Sequence, residues 1–157
     1  TKKITARALN VKVHQPLIEL LSNTPFKLLQ NITLPIQVKD SILNLSGCGE
    51  YIIGQFKPKE TFKNYKTEYP GIILVHNPDA IPHLKDYPGD IILCGHTHGG
   101  QVNLPWIWKK FTLLENMHLK KGLLQLYNKW IYINRGIGSV LPFRWFSPPE
   151  LLLLTLE

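Results

Sequence analysis

Two histidines one residue apart, His96 and His98, are the side chains of this sequence whose spacing best suits chemistry. They lie in the segment 95–101, GHTHGGQ, directly after the apolar run 91–94, IILC. The apolar run predicts a buried strand, and extended backbone would turn both imidazoles to one side, with about 6.5–7 Å between their Cα atoms. Imidazoles so placed can each hold one ion of a paired site whose metals lie about 3.5–4 Å apart. The neighbouring glycines allow the loop to approach such ions closely, so the segment predicts a metal site.

A third histidine, His76, follows the apolar run Gly71–Val75 about twenty residues earlier. Asn77 is a good helix N-cap and Pro78 suits the first helical position, so we expect a strand–helix–strand unit with a right-handed crossover. Ligands of open α/β sheets bind outside the carboxyl ends of the strands, which predicts that the three histidines converge on one crevice. The alternative for His76 is a hydrogen-bonded histidine at a strand end. The other histidines are expected on the surface: His14, His83 and His118.

Patterns elsewhere predict a mixed α/β domain whose last third is mainly antiparallel. Apolar alternation predicts strands at 26–30, 32–38 and 42–46, and helices are expected at 16–23 and 59–65. A hairpin is expected from 122–127 and 130–134 around the turn Asn128-Lys129, followed by a last strand at 150–156. No linker interrupts the 157 residues, so we expect one domain.

Composition excludes several classes of protein. Charged residues make up only 18% of the chain and apolar residues 44%, which is typical of a globular domain rather than a disordered one. The net charge of +7 favours an anionic partner, but the lysines are scattered and no nucleic-acid-binding motif accompanies them, so we expect no nucleic acid. No apolar stretch is long enough to span a membrane. The two cysteines do not form a Cys-x-x-Cys pair.

A family resemblance rests on four segments: GHTHGGQV at 95–102, HNPD at 76–79, YINRGIG at 132–138 and PPE at 148–150. Together they resemble the C-terminal half of a calcineurin-like metallophosphoesterase, in a bacterial branch with membrane-associated members. The resemblance implies the C-terminal part of a four-layer α/β/β/α sandwich. It also implies a two-metal hydrolase in which His76 and His96 ligate one metal and His98 the other. Members of this branch cleave the pyrophosphate bond of UDP-2,3-diacylglucosamine in lipid A synthesis, which implies a phosphate-containing, lipid-linked substrate.

The remaining ligands of this family come from Asp-x-His, Gly-Asp and Gly-Asn-His motifs that precede the histidines. This chain has none of these motifs. Its Gly89-Asp90 does not replace the Gly-Asp motif, because it opens the strand that leads into the histidine loop. We therefore expect residues 1–157 to be the C-terminal portion of one domain whose N-terminal half is missing, and to be inactive alone. Two divalent ions are implied, with Mn expected first and Zn or Fe as alternatives.

Arg135 and two aromatic segments are candidates for substrate and membrane contact. Arg135 stands beside a glycine after an apolar strand, so its planar fork could bind a substrate phosphate or could hold loop carbonyls. Aromatics alternate with lysines in 105–114, PWIWKKFTLL, and with an arginine in 142–146, PFRWF. Such mixtures suit an anionic lipid surface, with ordinary core packing as the alternative. We therefore expect a peripheral protein at the cytoplasmic face of the bacterial inner membrane.

Two other functions fit parts of the pattern. A non-catalytic module that binds membranes or anionic ligands would explain the charge and the aromatics. Another His-x-His hydrolase is the second alternative, but metallo-β-lactamase-like enzymes continue to His-x-His-x-Asp-His, where this chain has Gly100 and Gln101. Amidohydrolases place the pair early, on the first strand of a barrel, whereas here it comes late.

Overall fold

Six strands form one mixed sheet in the computed structural model, which describes residues 14–104, 114–140 and 142–156. Across the sheet the order is β1 (Ile32–Val38), β2 (Ser41–Gly47), β3 (Gly71–Leu74), β4 (Ile91–Cys94), β6 (Lys129–Ile133) and β5 (Gly122–Leu126). The four central strands, β2, β3, β4 and β6, run parallel, and β1 and β5 form antiparallel edges. The predicted α/β class is confirmed. The second sheet of the four-layer sandwich stays a prediction, since the described strands all belong to one sheet.

The unit from β3 to β4 positions the candidate site. A 3₁₀ helix, Pro78–Leu84, joins the two parallel strands, and the side chain of Asn77 caps it by accepting a hydrogen bond from the Asp79 N–H at 2.9 Å. The helix is 3₁₀ rather than α because Pro82 lies inside it, where a proline lacks the N–H of an α-helical hydrogen bond. The core packs around this unit and consists mainly of aliphatic side chains, among them Ile73, Ile81, Leu84, Ile92, Ile131 and Ile133.

Two buried polar groups fasten loops to this unit. The carboxylate of Asp79 accepts hydrogen bonds from the backbone N–H groups of Glu115 and Asn116, at 2.9 and 3.1 Å. The ammonium group of Lys129 donates to the carbonyls of Tyr87 and Gly89, at 2.7 and 2.8 Å. Each side chain therefore satisfies two backbone groups that no strand or helix partner satisfies.

The two α-helices among the described residues are short. α1 (Gln15–Ser22) has no buried residue, and α2 (Pro58–Thr61) ends well before the predicted boundary at residue 65. The carbonyl of Thr61 accepts a hydrogen bond from the hydroxyl of Thr33 at 2.6 Å, which takes the place of a helical N–H donor. No strand forms at 26–30, where the described backbone is irregular.

The C-terminal third differs from its prediction in two ways. The hairpin of β5 and β6 turns at Tyr127 and Asn128, with φ of 55° and 58°, one residue earlier than predicted, and β6 then pairs in parallel with β4. The predicted strand at 150–156 does not form, because among the described residues no neighbouring strand supplies it with backbone partners. Leu151 and Leu153 remain 87% and 90% exposed there. The described helices include none with the length and apolarity that crossing a membrane requires.

Candidate metal centre

His76 and His96 lie side by side at the carboxyl ends of β3 and β4. Because the two strands are parallel neighbours, their ends meet at the same edge of the sheet. The N–H of Gly95 donates to the carbonyl of His76 at 3.0 Å, which fixes the two loops against each other. The ring centroids are 5.1 Å apart and the planes cross at 78°. The structure thus brings together the two histidines that were predicted to share one metal.

The backbone around His98 is not extended, which corrects the prediction for the histidine pair. His96 and His98 both have positive φ, 65° and 49°, and His98 opens a 3₁₀ turn, His98–Gly100. Left-handed backbone is uncommon for residues with a Cβ, although histidine adopts it more readily than most. The two imidazoles are therefore placed by a tightly wound loop and not by the alternation of a strand.

Close contacts hold the wound loop in place. The Thr97 hydroxyl accepts a hydrogen bond from the N–H of Gly99 at 3.0 Å, and the Ser147 hydroxyl donates to the carbonyl of His98 at 2.6 Å. Gly99 has φ of 62°, and a Cβ there would come within 2.4 Å of the Ser147 oxygen and 2.7 Å of Cγ of Arg135. The loop therefore needs glycine at this position for two independent reasons.

The electrostatics of the site favour neutral imidazoles. Burial lowers the pKa of His96, and the neighbouring His76 lowers this pKa further, against an opposing effect of Glu50 and Asp79. Burial also lowers the pKa of His98, followed by the positive charge of Arg144. A neutral imidazole has the free lone pair that a metal ligand needs.

These residues fit a part of a two-metal site. Among the described residues, no group of three or more His, Cys, Asp or Glu side chains is close enough to hold one ion. His76 and His96 can offer two nitrogens to one ion, and His98 can offer one to a second. The division of these ligands between two ions is what the family resemblance implies, and the ligand roles stay predictions.

A cavity of about 310 Å³ opens beside His76, at the ends of β2, β3 and β4. Its walls include Cys48 and Cys94. Burial raises the pKa of Cys48 to about 11 and also raises the pKa of Cys94, so both thiols are protonated at neutral pH. A protonated thiol is neither a good nucleophile nor a metal ligand, which leaves the chemistry of this crevice to the histidines.

Arg135 lies next to the histidine loop but is tied to another residue. Its Nε donates to the Glu150 carboxylate at 3.0 Å, and its backbone N–H donates to the same oxygen at 2.9 Å. Glu150 also accepts a hydrogen bond from the hydroxyl of Tyr132. The acidic residue of the PPE segment thus orients the Arg135 fork, whose role toward a phosphate stays a prediction.

Arg144 performs the carbonyl-holding role that was the alternative for Arg135. Its Nη2 donates to the carbonyls of Arg135 and Gly136, at 2.9 and 3.1 Å, and to that of Gly138. The same nitrogen lies 3.3 Å from Nδ1 of His98. From sequence Arg144 was expected only in the aromatic segment at 142–146, because an arginine between aromatic residues is typical of a surface and nothing local indicates a contact with a residue 46 positions away.

The other histidines are exposed, as predicted. His14 caps α1 by accepting a hydrogen bond from the N–H of Leu17 at 3.2 Å, and His83 lies 3.1 Å from the hydroxyl of Tyr51. His118 is exposed in the loop before β5. None of the three has a place in the crevice.

Similarity to known proteins decides the family. The UDP-2,3-diacylglucosamine pyrophosphatases LpxG of Chlamydia muridarum and Chlamydia trachomatis are 43% and 42% identical to this chain, over 88% and 95% of its length. The uncharacterized metallophosphoesterase YkuE of Bacillus subtilis is 33% identical over 74% of the chain. The chain belongs to the metallophosphoesterases. No family model matches it, and no solved structure does.

The match to these metallophosphoesterases is partial in length. The chain spans 44% and 47% of the two pyrophosphatases, about half of each. A metallophosphoesterase acts through divalent metal ions, and the three histidines at the sheet edge are the described residues best suited to bind them.

Proposed function

We propose that the full-length protein hydrolyses a phosphodiester or pyrophosphate bond in a lipid-linked substrate such as UDP-2,3-diacylglucosamine, in lipid A synthesis. The observation that carries the proposal is the paired placement of His76 and His96, with ring centroids 5.1 Å apart at the ends of two parallel strands. Similarity to pyrophosphatases that are named for this substrate supports the choice. The three histidines of this chain form part of the proposed site, and the chain spans about half the length of the pyrophosphatases it resembles.

The histidines bind two divalent ions, with Mn²⁺ as the first candidate and Zn²⁺ or Fe²⁺ as alternatives. His76 and His96 hold one ion, and His98 holds the other. When bound, such ions would polarise phosphoryl oxygens and would lower the pKa of a bound water. Burial and mutual repulsion keep His96 neutral and available as a ligand, as its lowered pKa indicates.

Arg135 orients the substrate. Glu150 binds the Nε edge of its guanidinium and leaves the fork beside the histidine loop. We propose that the fork binds a non-bridging oxygen of the substrate phosphate, because a guanidinium matches phosphate in shape and charge.

Exposed aromatic side chains beside the site suit a lipid-linked substrate and a peripheral position at the cytoplasmic face of the inner membrane. Trp145 and Phe146 are 51% and 70% exposed, and they precede Ser147, which binds the backbone of His98. Of the predicted membrane-facing segment 105–114, residues 105–113 lie outside the described residues, and Leu114 is buried. A lysine near an anionic membrane surface contributes about 1 kcal/mol to binding, and salt screens this attraction. The full-length protein should bind anionic vesicles more tightly than neutral ones, and high salt should weaken the binding.

Hydrolysis of UDP-2,3-diacylglucosamine by the full-length protein with Mn²⁺ tests the proposal. We expect chelator-sensitive release of UMP in the wild type and a loss of more than about 100-fold in His96→Ala, because loss of an outer partner of a metal ligand costs only about 10–100-fold. His83→Ala, an exposed histidine away from the crevice, is the matched control and should keep full activity. A wild-type protein that binds vesicles but releases no product would support the non-catalytic binding module instead.

A further inference from the structure

Two arginines lie beside the histidine loop, and they differ in which of their donors are already used. In Arg135, Nε and the backbone N–H both donate to one oxygen of Glu150, at 3.0 and 2.9 Å. Neither Nη group of Arg135 donates to any residue that the structure describes. Arg144, by contrast, donates from both Nη groups to backbone carbonyls, among them those of Arg135 and Ser147, at 2.9 and 3.2 Å. Of these two arginines, Arg135 is therefore the one with donors available to a ligand.

The ion pair between Arg135 and Glu150 is made through a single carboxylate oxygen, although arginine and a carboxylate frequently pair through two parallel hydrogen bonds. The second oxygen of Glu150 accepts a hydrogen bond from the hydroxyl of Tyr132. Tyr132 lies on β6 opposite Leu93 of β4, so the sheet fixes the backbone that carries this hydroxyl. The hydroxyl thus occupies the oxygen that would complete a two-bond pair with the guanidinium.

The rest of Arg135 is fixed as well. Its side chain lies against the backbone of Gly99, where an added Cβ would come within 2.7 Å of Cγ and 3.0 Å of Cδ of Arg135. The backbone N–H of Glu150 donates to the carbonyl of Gly136 at 3.0 Å, which fastens the PPE segment to the loop after β6. The open Nη end therefore belongs to a side chain that is packed on the histidine loop and held from both sides.

We propose that Tyr132 and Glu150 are positioning residues that keep the Nη end of Arg135 free for a substrate phosphate. Glu150 fixes the guanidinium through Nε, and Tyr132 prevents the same carboxylate from taking an Nη group as well. Two free Nη groups match two oxygens of a phosphate in geometry and charge. The inference rests on the proposed function, because it takes Arg135 as the residue that binds the phosphate. Neither Tyr132 nor Glu150 touches the substrate in this scheme.

The variant Tyr132→Phe of the full-length protein tests the positioning by kinetics. Without the hydroxyl, Glu150 can pair with Arg135 through both oxygens and compete with the phosphate. We expect KM for UDP-2,3-diacylglucosamine to rise about 2–10-fold, the share of one hydrogen bond, and kcat to stay within about twofold, because the loss is in binding. Tyr127→Phe, an exposed tyrosine in the β5–β6 turn, is the matched control and should change neither quantity. An unchanged KM in Tyr132→Phe would overturn the proposal.

A purely structural role of Tyr132 would raise KM whether or not Arg135 is present, so the two residues are also changed together. Arg135→Gln alone should raise KM about 10–100-fold, because it removes charge-assisted hydrogen bonds to the phosphate. Tyr132→Phe should raise KM no further in the Arg135→Gln background, since no guanidinium remains for Glu150 to cover. Additive effects of the two substitutions would contradict the positioning role.

A crystal structure of the full-length Tyr132→Phe protein provides a readout that does not depend on turnover. We expect the Glu150 carboxylate within hydrogen-bond distance of both Nε and an Nη group of Arg135. A carboxylate that keeps its single contact with Nε would contradict the competition that Tyr132 is proposed to prevent.

Arg135→Gln separates the two ways of failing. If it leaves KM unchanged, the phosphate-binding role of Arg135 in the proposed function is wrong, and the inference fails with it. If Arg135→Gln raises KM and Tyr132→Phe does not, only the positioning role is wrong.

Discussion

Substitution of Gly99 by alanine is the sharpest test of the wound histidine loop. Gly99 has φ of 62°, and an added Cβ would lie 2.4 Å from the Ser147 hydroxyl and 2.7 Å from Cγ of Arg135. Ser147 is 1% exposed and its hydroxyl is bound to the carbonyl of His98, so it has little freedom to move away. The substitution should therefore both strain the backbone and displace the loop that carries His98.

The expected magnitude has two parts. Left-handed backbone costs a residue with a Cβ about 1–2 kcal/mol, and overpacking of a tight contact costs about 1–3 kcal/mol. Together they predict that Gly99→Ala lowers the free energy of unfolding by roughly 2–5 kcal/mol. Gly136→Ala is the matched control, because Gly136 has φ of 64° and nothing within 4 Å of its added Cβ. The control should lose only the backbone part, about 1–2 kcal/mol.

Urea unfolding of the two variants and the wild type, in the full-length protein, measures both parts. Gly99→Ala should unfold at a lower urea concentration than Gly136→Ala with a similar slope. Equal losses of stability in the two variants would refute the close approach of Gly99 to Ser147 and Arg135.

Three further predictions concern the groups that support the site. Asp79→Asn should lower the free energy of unfolding by about 1–3 kcal/mol, because an amide nitrogen would then face one of the two backbone N–H groups that the carboxylate binds; Asp86→Asn, on an exposed side chain, should change it little in the same urea titration. Lys129→Met should also lower the free energy of unfolding by about 1–3 kcal/mol, because it leaves two backbone carbonyls without their donor. A urea midpoint equal to that of the wild type would contradict these two contacts. Metal-free protein should lose stability as the pH falls below about 6.5, since the lowered pKa values of His96 and His98 mean that the unfolded chain binds more protons there. His96→Gln should reduce the difference between the unfolding temperatures measured at pH 5 and at pH 7. An unchanged difference would contradict the contribution of the lowered His96 pKa.

Apolar runs were sufficient to predict the central strands. The bounds of β4 coincide with the predicted run at 91–94, and β3 lies within the predicted run at 71–75, because a buried parallel sheet selects continuous apolar residues. The antiparallel edge strand β1 also has its predicted bounds, 32–38. The same strands place His76 and His96 at neighbouring strand ends, so their meeting follows from topology. The part of the candidate site at the carboxyl ends of β3 and β4 was thus predictable from the apolar runs of the sequence.

Features that depend on distant contacts were not predictable in this way. The left-handed backbone at His98 depends on Ser147, and the loop after β6 depends on Arg144, neither of which is local to the histidine motif. The segment 150–156 is apolar enough for a strand, but it forms none, because no neighbouring strand among the described residues offers it backbone partners. The turn of the β5–β6 hairpin moved by one residue because Tyr127 and Asn128, rather than Asn128 and Lys129, adopt positive φ.

Anomalous diffraction from crystals of the full-length protein grown with Mn²⁺, collected at the manganese edge, tests the central claim most directly. We expect two anomalous peaks, one within coordination distance of ring nitrogens of both His76 and His96 and the other within coordination distance of a ring nitrogen of His98. Peaks that avoid these three histidines, or a single peak with His98 turned away from it, would contradict the assignment.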